Sequence, residues 1–223
     1  IKGKLSGDIS REGEIGPDAV EAYLSGKKSA KKPAVEQNLP ARPPALCAGC
    51  QYRELYTALN AAKPSIVTGD IGCYTLGASP PFRALDTCLC MGAGVSQATG
   101  IASQGVKRVA AVIGDSTFIH SGITALINAV YNKVNMLLII LDNSSTAMTG
   151  HQPTPMTGVN AKGGPTDRIN LEELCRSCGA KSVEVLNPAG VENTTRLING
   201  KFESEGVHVI ISRRPCIFVK KKS

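Results

Sequence analysis

The sequence predicts an α/β fold with a mainly parallel sheet and helices on both faces. Three observations carry this expectation. Apolar runs of strand length alternate with segments whose apolar residues recur at helical spacing. The most apolar runs, Arg108–Ile113 and Met136–Leu141, are uninterrupted, as in strands covered on both faces. Each also ends on a polar cluster, Gly114-Asp115-Ser116 and Asp142-Asn143, where parallel sheets gather their ligands.

In chain order, residues 1–44 read as a linker or connecting segment, broken by glycines and by Pro33, Pro40, Pro43 and Pro44. A short helix is expected over Pro17–Leu24, with Pro17 and Asp18 in its first turn. Residues 45–223 form the main domain. A helix over Arg53–Ala62 leads to a strand at Ser65–Thr68, and a second helix follows Gly92 through Val95 to Ser103. After Arg108–Ile113, residues Ile119, Ile123, Leu126, Ile127, Val130 and Tyr131 fall on one helical face. The strand Met136–Leu141 gives way to a long polar loop over Asp142–Thr166. A helix at Leu171–Cys178, a strand at Lys181–Leu186, a helix at Val191–Ile198 and a strand at Val207–Ser212 complete the pattern. Cys88 and Cys90 sit in a short strand-like run and receive no ligand role.

Composition narrows the function classes. Apolar residues make up 42% and charged residues 19%, ordinary for a soluble globular chain. Trp is absent and aromatics are 4%, which leaves little for stacking on bases, so no nucleic-acid partner is expected. The net charge of +7 is concentrated in Lys27, Lys28, Lys31, Lys32 and Lys220–Lys222. These are read as a solvated linker and tail, with attraction of an acidic electron carrier as the other possibility. No run approaches the ~20 apolar residues of a membrane span. With no signal peptide, a cytoplasmic location is expected. The chain opens on Ile1 and is expected to be a fragment or processed piece of a longer polypeptide. Eight cysteines without a secretory signal point to metal or redox chemistry rather than disulfides.

The strongest local signal is the pair of strand ends. Thr117–Leu141, the 25 residues between them, hold one helix and one strand, so two adjacent parallel strands deliver oxygen ligands to one edge. Gly114 would let backbone approach a phosphate, and the following helix offers its first amides, with Ser116 and Thr117 at its start. The Asp115 carboxylate, the Asn143 side-chain oxygen and the Ser145 carbonyl could fill half an octahedral magnesium shell, while Asp142 orients the loop. Gly92-Ala93-Gly94 is half of a dinucleotide fingerprint, but Gln97 stands where the third glycine belongs. As a loop entering a helix it serves equally near a diphosphate or a pyrimidine.

These residues resemble the thiamine-diphosphate signature, a GDG or GDS followed by an Asn-bearing strand end. More narrowly, RPPALCAGCQYR, GDIGCYTLG, CMGAGVSQATG, IGDSTFIHSGITALINAVYNK, ILDNSSTAMTGHQPTP and RRPC resemble the C-terminal half of the indolepyruvate:ferredoxin oxidoreductase alpha subunit family. That family lies within the 2-oxoacid:ferredoxin oxidoreductases. The resemblance implies a thiamine-diphosphate-binding fold and a cofactor-contacting set of Gly72, Cys73, Tyr74, Met91, Gly92, Ala93, Gly114, Asp115, Ser116, Thr117, Asn143, Ser145, Thr146, Met148 and Thr149. It implies that Cys47, Cys50, Cys73 and Cys216 bind a [4Fe–4S] cluster, for which four thiolates are the chemical requirement. A structural zinc site and reduced packing cysteines are the competing readings of the quartet. Cys175 and Cys178, at i and i+3 on a helix, are expected to pack in the core.

The activity implied is oxidative decarboxylation of an arylpyruvate, indolepyruvate or a relative. Coenzyme A would take the acyl group and ferredoxin the electrons. His120 and His151 lie in the matching motifs and are candidates for catalytic contacts, against the plainer roles of capping a helix or solvating a loop. His208 is expected to be structural. No Glu here is placed to activate the cofactor, so a pyrimidine-binding domain or subunit must complete the site, beside the beta (gamma-type) subunit, and the chain alone is expected to be inactive. The ferredoxin-like segment with which such alpha subunits often continue is missing, a second sign of a fragment. Gln51-Tyr52 stands where that family has Pro-His, which puts any role of that His in doubt. A non-oxidative thiamine-dependent decarboxylase or synthase shares the metal motif but needs no cluster. A zinc-stapled interaction module would need neither magnesium nor thiamine diphosphate.

Overall fold

The computed structural model describes residues 3–12, 15–26 and 43–219. Lys27, Lys28, Lys31, Lys32, Pro33, Pro40 and Lys220–Lys222 lie outside the described residues. The chain divides into two compact units, Ile1–Arg42 and Pro43–Ser223. In the first, the expected helix is present as α1, Pro17–Ser25. Pro17 starts it where no amide partner is needed, and Gly26 ends it in the left-handed region at φ 68°.

In the second unit, α2 (Gln51–Ala61) leads to β1 (Ile66–Thr68). A 3₁₀ turn at Cys73–Ala78 and α3 (Ala93–Ser103) then precede β2 (Val109–Gly114). The helix expected after β2 begins earlier than the periodicity suggests. It starts as α4 (Asp115–Thr117), widens into a π turn over Phe118–Gly122 and continues as α5 (Ile123–Tyr131). β3 (Met136–Asp142) is followed by the long loop, then α6 (Leu171–Ser177), β4 (Ser182–Leu186), α7 (Val191–Phe202) and β5 (Val207–Arg213). The five strands are all parallel, in the order β1-β2-β3-β5-β4.

Alternation along each strand divides the core into two layers. Val109, Ala111 and Ile113 of β2 join Met136, Leu138 and Ile140 of β3 under α3, α5 and α6. Ala110 and Val112 join Leu137, Ile139 and Leu141 under α2 and α7. Each large side chain buried this way contributes about 1.5–3 kcal/mol, and both faces of β2 and β3 are covered, as their unbroken apolar runs require. Cys175 is fully buried in the first layer, with Cys178 packed against it. His208 is buried at 4% exposure and shares a 2.8 Å hydrogen bond with Ser182 Oγ.

Two expectations are corrected. Ile127 and Tyr131 are exposed, because they form an i, i+4 stripe beside the buried one through Leu126. Cys88–Cys90 is irregular chain; the residues just before it meet β1 through the isolated Thr68–Thr87 bridge and through Asp86, whose amide donates to Val67 O at 2.8 Å. It forms no strand because the segment bends to bring Gly92 onto Asp70.

Two charged side chains hold the carboxyl edge of the sheet. Asp70, fully buried after β1, accepts the amides of Gly92 at 2.8 Å, Gly94 at 3.0 Å and Ile71 at 2.8 Å. It thereby caps α3 with a carboxylate from another element. Gly92 is needed there: its φ is 88°, and a Cβ would fall 2.3 Å from that of Ser121. At the other side, Arg213 at the end of β5 donates to Asp142 Oδ2 at 2.6 Å. It also donates to both Glu172 oxygens, at 2.7 and 2.9 Å. One guanidinium thus ties β3, β5 and α6.

The Arg213 hydrogen bonds hold the Glu172 carboxyl below its ordinary value of 4.5. The folded state therefore favours the ionised form, and this contribution is present above that pH and lost as pH falls through the lowered value. Glu172→Gln should lower unfolding stability at pH 7 in denaturant titrations, with the gap from wild type closing as pH falls through that lowered value.

Candidate active site

The β2–β3 ladder places Gly114 opposite Leu141. The residues just beyond, Asp115 and Asn143, therefore meet at one edge. Asp115 is 3% exposed. Its Oδ1 accepts the Ser116 amide at 2.8 Å, while its Oδ2 is buried with no hydrogen-bond partner. Burial, and next the neighbouring Asp142, push its carboxyl up to about 7. A buried carboxylate oxygen facing a like charge is costly unless a cation or proton joins it. The donor set suits magnesium: a carboxylate, the Asn143 amide oxygen and nearby hydroxyls. Asn143 Oδ1 already accepts the Ser145 amide at 3.0 Å, which leaves it a second lone pair.

Asp142 does the orienting expected of it. Its Oδ1 accepts the Ser144 amide at 3.0 Å while Oδ2 takes Arg213. The two loops are joined where Thr146 Oγ1 donates to Ser116 Oγ at 3.2 Å. A cavity of about 100 Å³ opens between them. Its lining holds Gly72, Cys73, Tyr74, Met91, Gly114, Asp115, Ser116, Thr117, Asn143, Ser145, Thr146, Met148 and Thr149. It is smaller than the ~300 Å³ of pockets that enclose a whole ligand.

The structure does not bring Gly92 and Ala93 into that lining. Asp70 already occupies the Gly92 and Gly94 amides, and the Ala93 amide is bonded to Cys90 O at 3.1 Å. At Gly114, which lines the cavity, a Cβ would fall 2.5 Å from the Tyr74 ring. Tyr74 fills the space and donates to Ile71 O at 2.7 Å.

Cys47 and Cys50 of one turn, Cys73 and Cys216 come together from three separate places, all lining one cavity of about 290 Å³. Its other walls are largely apolar, including Leu46, Leu76, Ile217 and Phe218. Cys216 is fixed by its amide, which donates to Asn143 O at 2.9 Å. Burial is the main cause holding the Cys50 thiol above its usual value, opposed by the Tyr52 amide and reinforced by Cys47, Cys216 and Cys73. Among the described residues, no three His, Cys, Asp or Glu side chains gather closely enough for a single metal ion.

His151 borders the thiol cavity, sharing a 3.2 Å hydrogen bond with Ser145 Oγ and an edge contact with Phe218 at 6.1 Å. His120 does not join either cavity; it is exposed in the π turn and bonded to Ser121. Sequence reasoning missed Asp70, although an Asp directly after a strand in Thr-Gly-Asp is a recognisable capping signal. It also missed Gln51, which is 3% exposed and donates to Asp142 O at 3.3 Å and to Arg214 O.

Asp115→Asn should stabilise the metal-free chain by about 1–3 kcal/mol, because it replaces an unpartnered oxygen beside Asp142 with a donor facing that carboxylate. Thermal and denaturant unfolding in the presence of a chelator measure this change.

Residues 70–212 match the family described as thiamine pyrophosphate enzyme, C-terminal TPP binding domain. The chain is 41% identical over 228 residues to indolepyruvate oxidoreductase subunit IorA of Methanothermobacter marburgensis, covering 97% of this chain and 37% of that protein. It is 44% identical over 185 residues to the protein of the same name from Archaeoglobus fulgidus, covering 79% and 29%. The chain thus spans about a third of the length of these curated relatives. Among solved structures, it resembles 2-oxoglutarate:ferredoxin oxidoreductase from Magnetococcus marinus, with 2-oxoglutarate, coenzyme A and succinyl-CoA bound. The TM-score is 0.69 at 19% identity, over 84% of this chain and 72% of that one. 4-Hydroxybenzoylformate decarboxylase from Rhodococcus jostii follows at TM-score 0.51 and 19% identity, over 88% and 39%. These structural likenesses concern the fold. By the family match across residues 70–212, the chain belongs to the thiamine pyrophosphate enzymes, as a C-terminal TPP binding domain.

Proposed function

We propose that this chain is the thiamine-diphosphate- and magnesium-binding part of a 2-oxoacid:ferredoxin oxidoreductase acting on an arylpyruvate such as indolepyruvate. The observation that carries the reading is adjacency. The cavity at Asp115 and the cavity ringed by four thiols share a wall made of Tyr52, Cys73, Asn143, Ala147 and Met148. A cofactor site alone fits any thiamine enzyme. A thiol quartet beside it fits one that passes electrons onward.

In this reading, Asp115, Asn143 and the Ser145 carbonyl hold magnesium, and Ser116, Thr117, Thr146 and Thr149 offer hydroxyls to the diphosphate. Cys47, Cys50, Cys73 and Cys216 hold a [4Fe–4S] cluster. When bound, thiamine diphosphate supplies the electron sink for decarboxylation and the cluster takes electrons singly. Met91, Met148, Ile217 and Phe218, exposed at the rims of the two cavities, await cover from a pyrimidine-binding domain and a beta (gamma-type) subunit that would exclude water. His151 reaches the substrate from the thiol side; His120 is given no catalytic role. Coenzyme A receives the acyl group and ferredoxin the electrons. The relatives named above support this assignment, and the apolar thiol cavity favours it over a non-oxidative decarboxylase.

Calorimetric titration of thiamine diphosphate into the chain should show saturable binding with magnesium and none with a chelator. Asp115→Ala should weaken binding by more than about 100-fold, since even outer partners of metal ligands cost about 10–100-fold. Magnesium-independent binding, or an unaffected variant, would refute the assignment.

A further inference from the structure

The wall between the two cavities contains a group with no assigned task. Tyr52, the second residue of α2, lines both the Asp115 cavity and the thiol cavity. It is 3% exposed, its ring edge-on to Tyr74 at 6.3 Å. Among the described residues its hydroxyl forms no hydrogen bond, and it is not one of the fully enclosed unpartnered atoms, so it opens onto cavity space. The contrast with its neighbours is informative, because Tyr56 donates to Tyr74 O at 2.7 Å and Tyr74 to Ile71 O at 2.7 Å. A hydroxyl left without a partner between two cavities is free for a ligand.

Its position is also fixed. Gln51, the preceding residue, is anchored through its Nε2 to Asp142 O at the end of β3 and to Arg214 O beyond β5. Cys50 precedes that, on the wall of the thiol cavity. The first turn of α2 is therefore bound to the sheet edge on which Asp115 and Asn143 stand, and the Tyr52 ring has little freedom to swing away.

We propose that Tyr52 is a substrate-contacting residue, its hydroxyl donating a hydrogen bond to the keto oxygen of the 2-oxoacid as that oxygen gains negative charge. This rests on the oxidoreductase reading above. The charges around it suit a donor rather than an acceptor, since Asp115 and the thiols of Cys50 and Cys73 all face it. In the loaded site, magnesium would engage Asp115 and a cluster the thiols. Thiamine diphosphate and the 2-oxoacid would then both bring acceptors to the cavities that Tyr52 lines, and the cofactor affinity of the variant below separates the two.

Tyr52→Phe removes a single oxygen and keeps the ring against Tyr74, so it tests the hydroxyl without opening a cavity. In the holoenzyme, assayed with indolepyruvate, coenzyme A and a viologen dye as acceptor, kcat should fall on the order of 10²-fold or more, as when one oxyanion donor is lost. Thiamine diphosphate affinity, the EPR signal of the reduced cluster and the melting temperature should stay at wild-type values. Unchanged kcat would overturn the proposal. So would a fall accompanied by lost cofactor affinity or a changed cluster signal, since that marks a structural wedge. If the wild-type holoenzyme has no cluster or binds no thiamine diphosphate, the underlying reading fails and this inference fails with it. That result is distinguishable from failure of the Tyr52 role alone.

Discussion

The whole site depends on the parallel register of β2 against β3. Pairing Gly114 with Leu141 puts the first polar residues after both strands at the same height. A slip of one residue would turn the alternating side chains of β3 onto the wrong layers and carry Asn143 away from Asp115. The register is held by residues that never approach a ligand: Ile113, Ile139, Ile140 and Leu141, all fully buried. Hydrophobic packing on two faces is therefore what allows a magnesium-type donor set to exist at the edge.

That edge carries polar groups left unsatisfied. Asp115 Oδ2 is buried beside Asp142 without a partner, and Gln51 Oε1 is likewise unpartnered. A fold selected for stability alone would not keep them, as each buried unsatisfied polar group costs about 1–3 kcal/mol. They persist because the surroundings hold them. Asp70 fastens the start of α3, and Arg213 binds the ends of β3 and β5 to α6. Charged anchors thus brace the edge on which the unpartnered Asp115 oxygen stands.

Much of this was legible in the sequence. The alternation of strand and helix follows from unbroken apolar runs and helical spacing, and the Asp115–Asn143 pairing follows from the length of the segment between them. The convergence of the cysteines was legible only through resemblance, since Cys216 is distant in sequence from Cys47 and Cys50. What escaped were consequences of tertiary contact. Gly92 and Ala93 looked available to a cofactor, but Asp70 holds the Gly92 amide and Cys90 O the Ala93 amide. The packing of Tyr74 against Gly114, which leaves no room for a Cβ, also lay beyond the sequence. The π turn at Phe118–Gly122 changes the helix start, and no periodicity reveals such a change in advance. Tyr52 was noted only as a departure from a resemblance, and its place between two cavities required coordinates.

The central claim is that one chain carries a thiamine diphosphate site and an electron-accepting cluster side by side. Its most direct test is iron, acid-labile sulfide and zinc analysis of the anaerobically purified protein, with low-temperature EPR after reduction. The account predicts a brown protein with about four irons and four sulfides per chain, as one [4Fe–4S] cluster requires. It also predicts a reduced-cluster signal that is lost on replacing Cys73 or Cys216 by Ser. A colourless protein that contains zinc, or retains activity without iron, would contradict it.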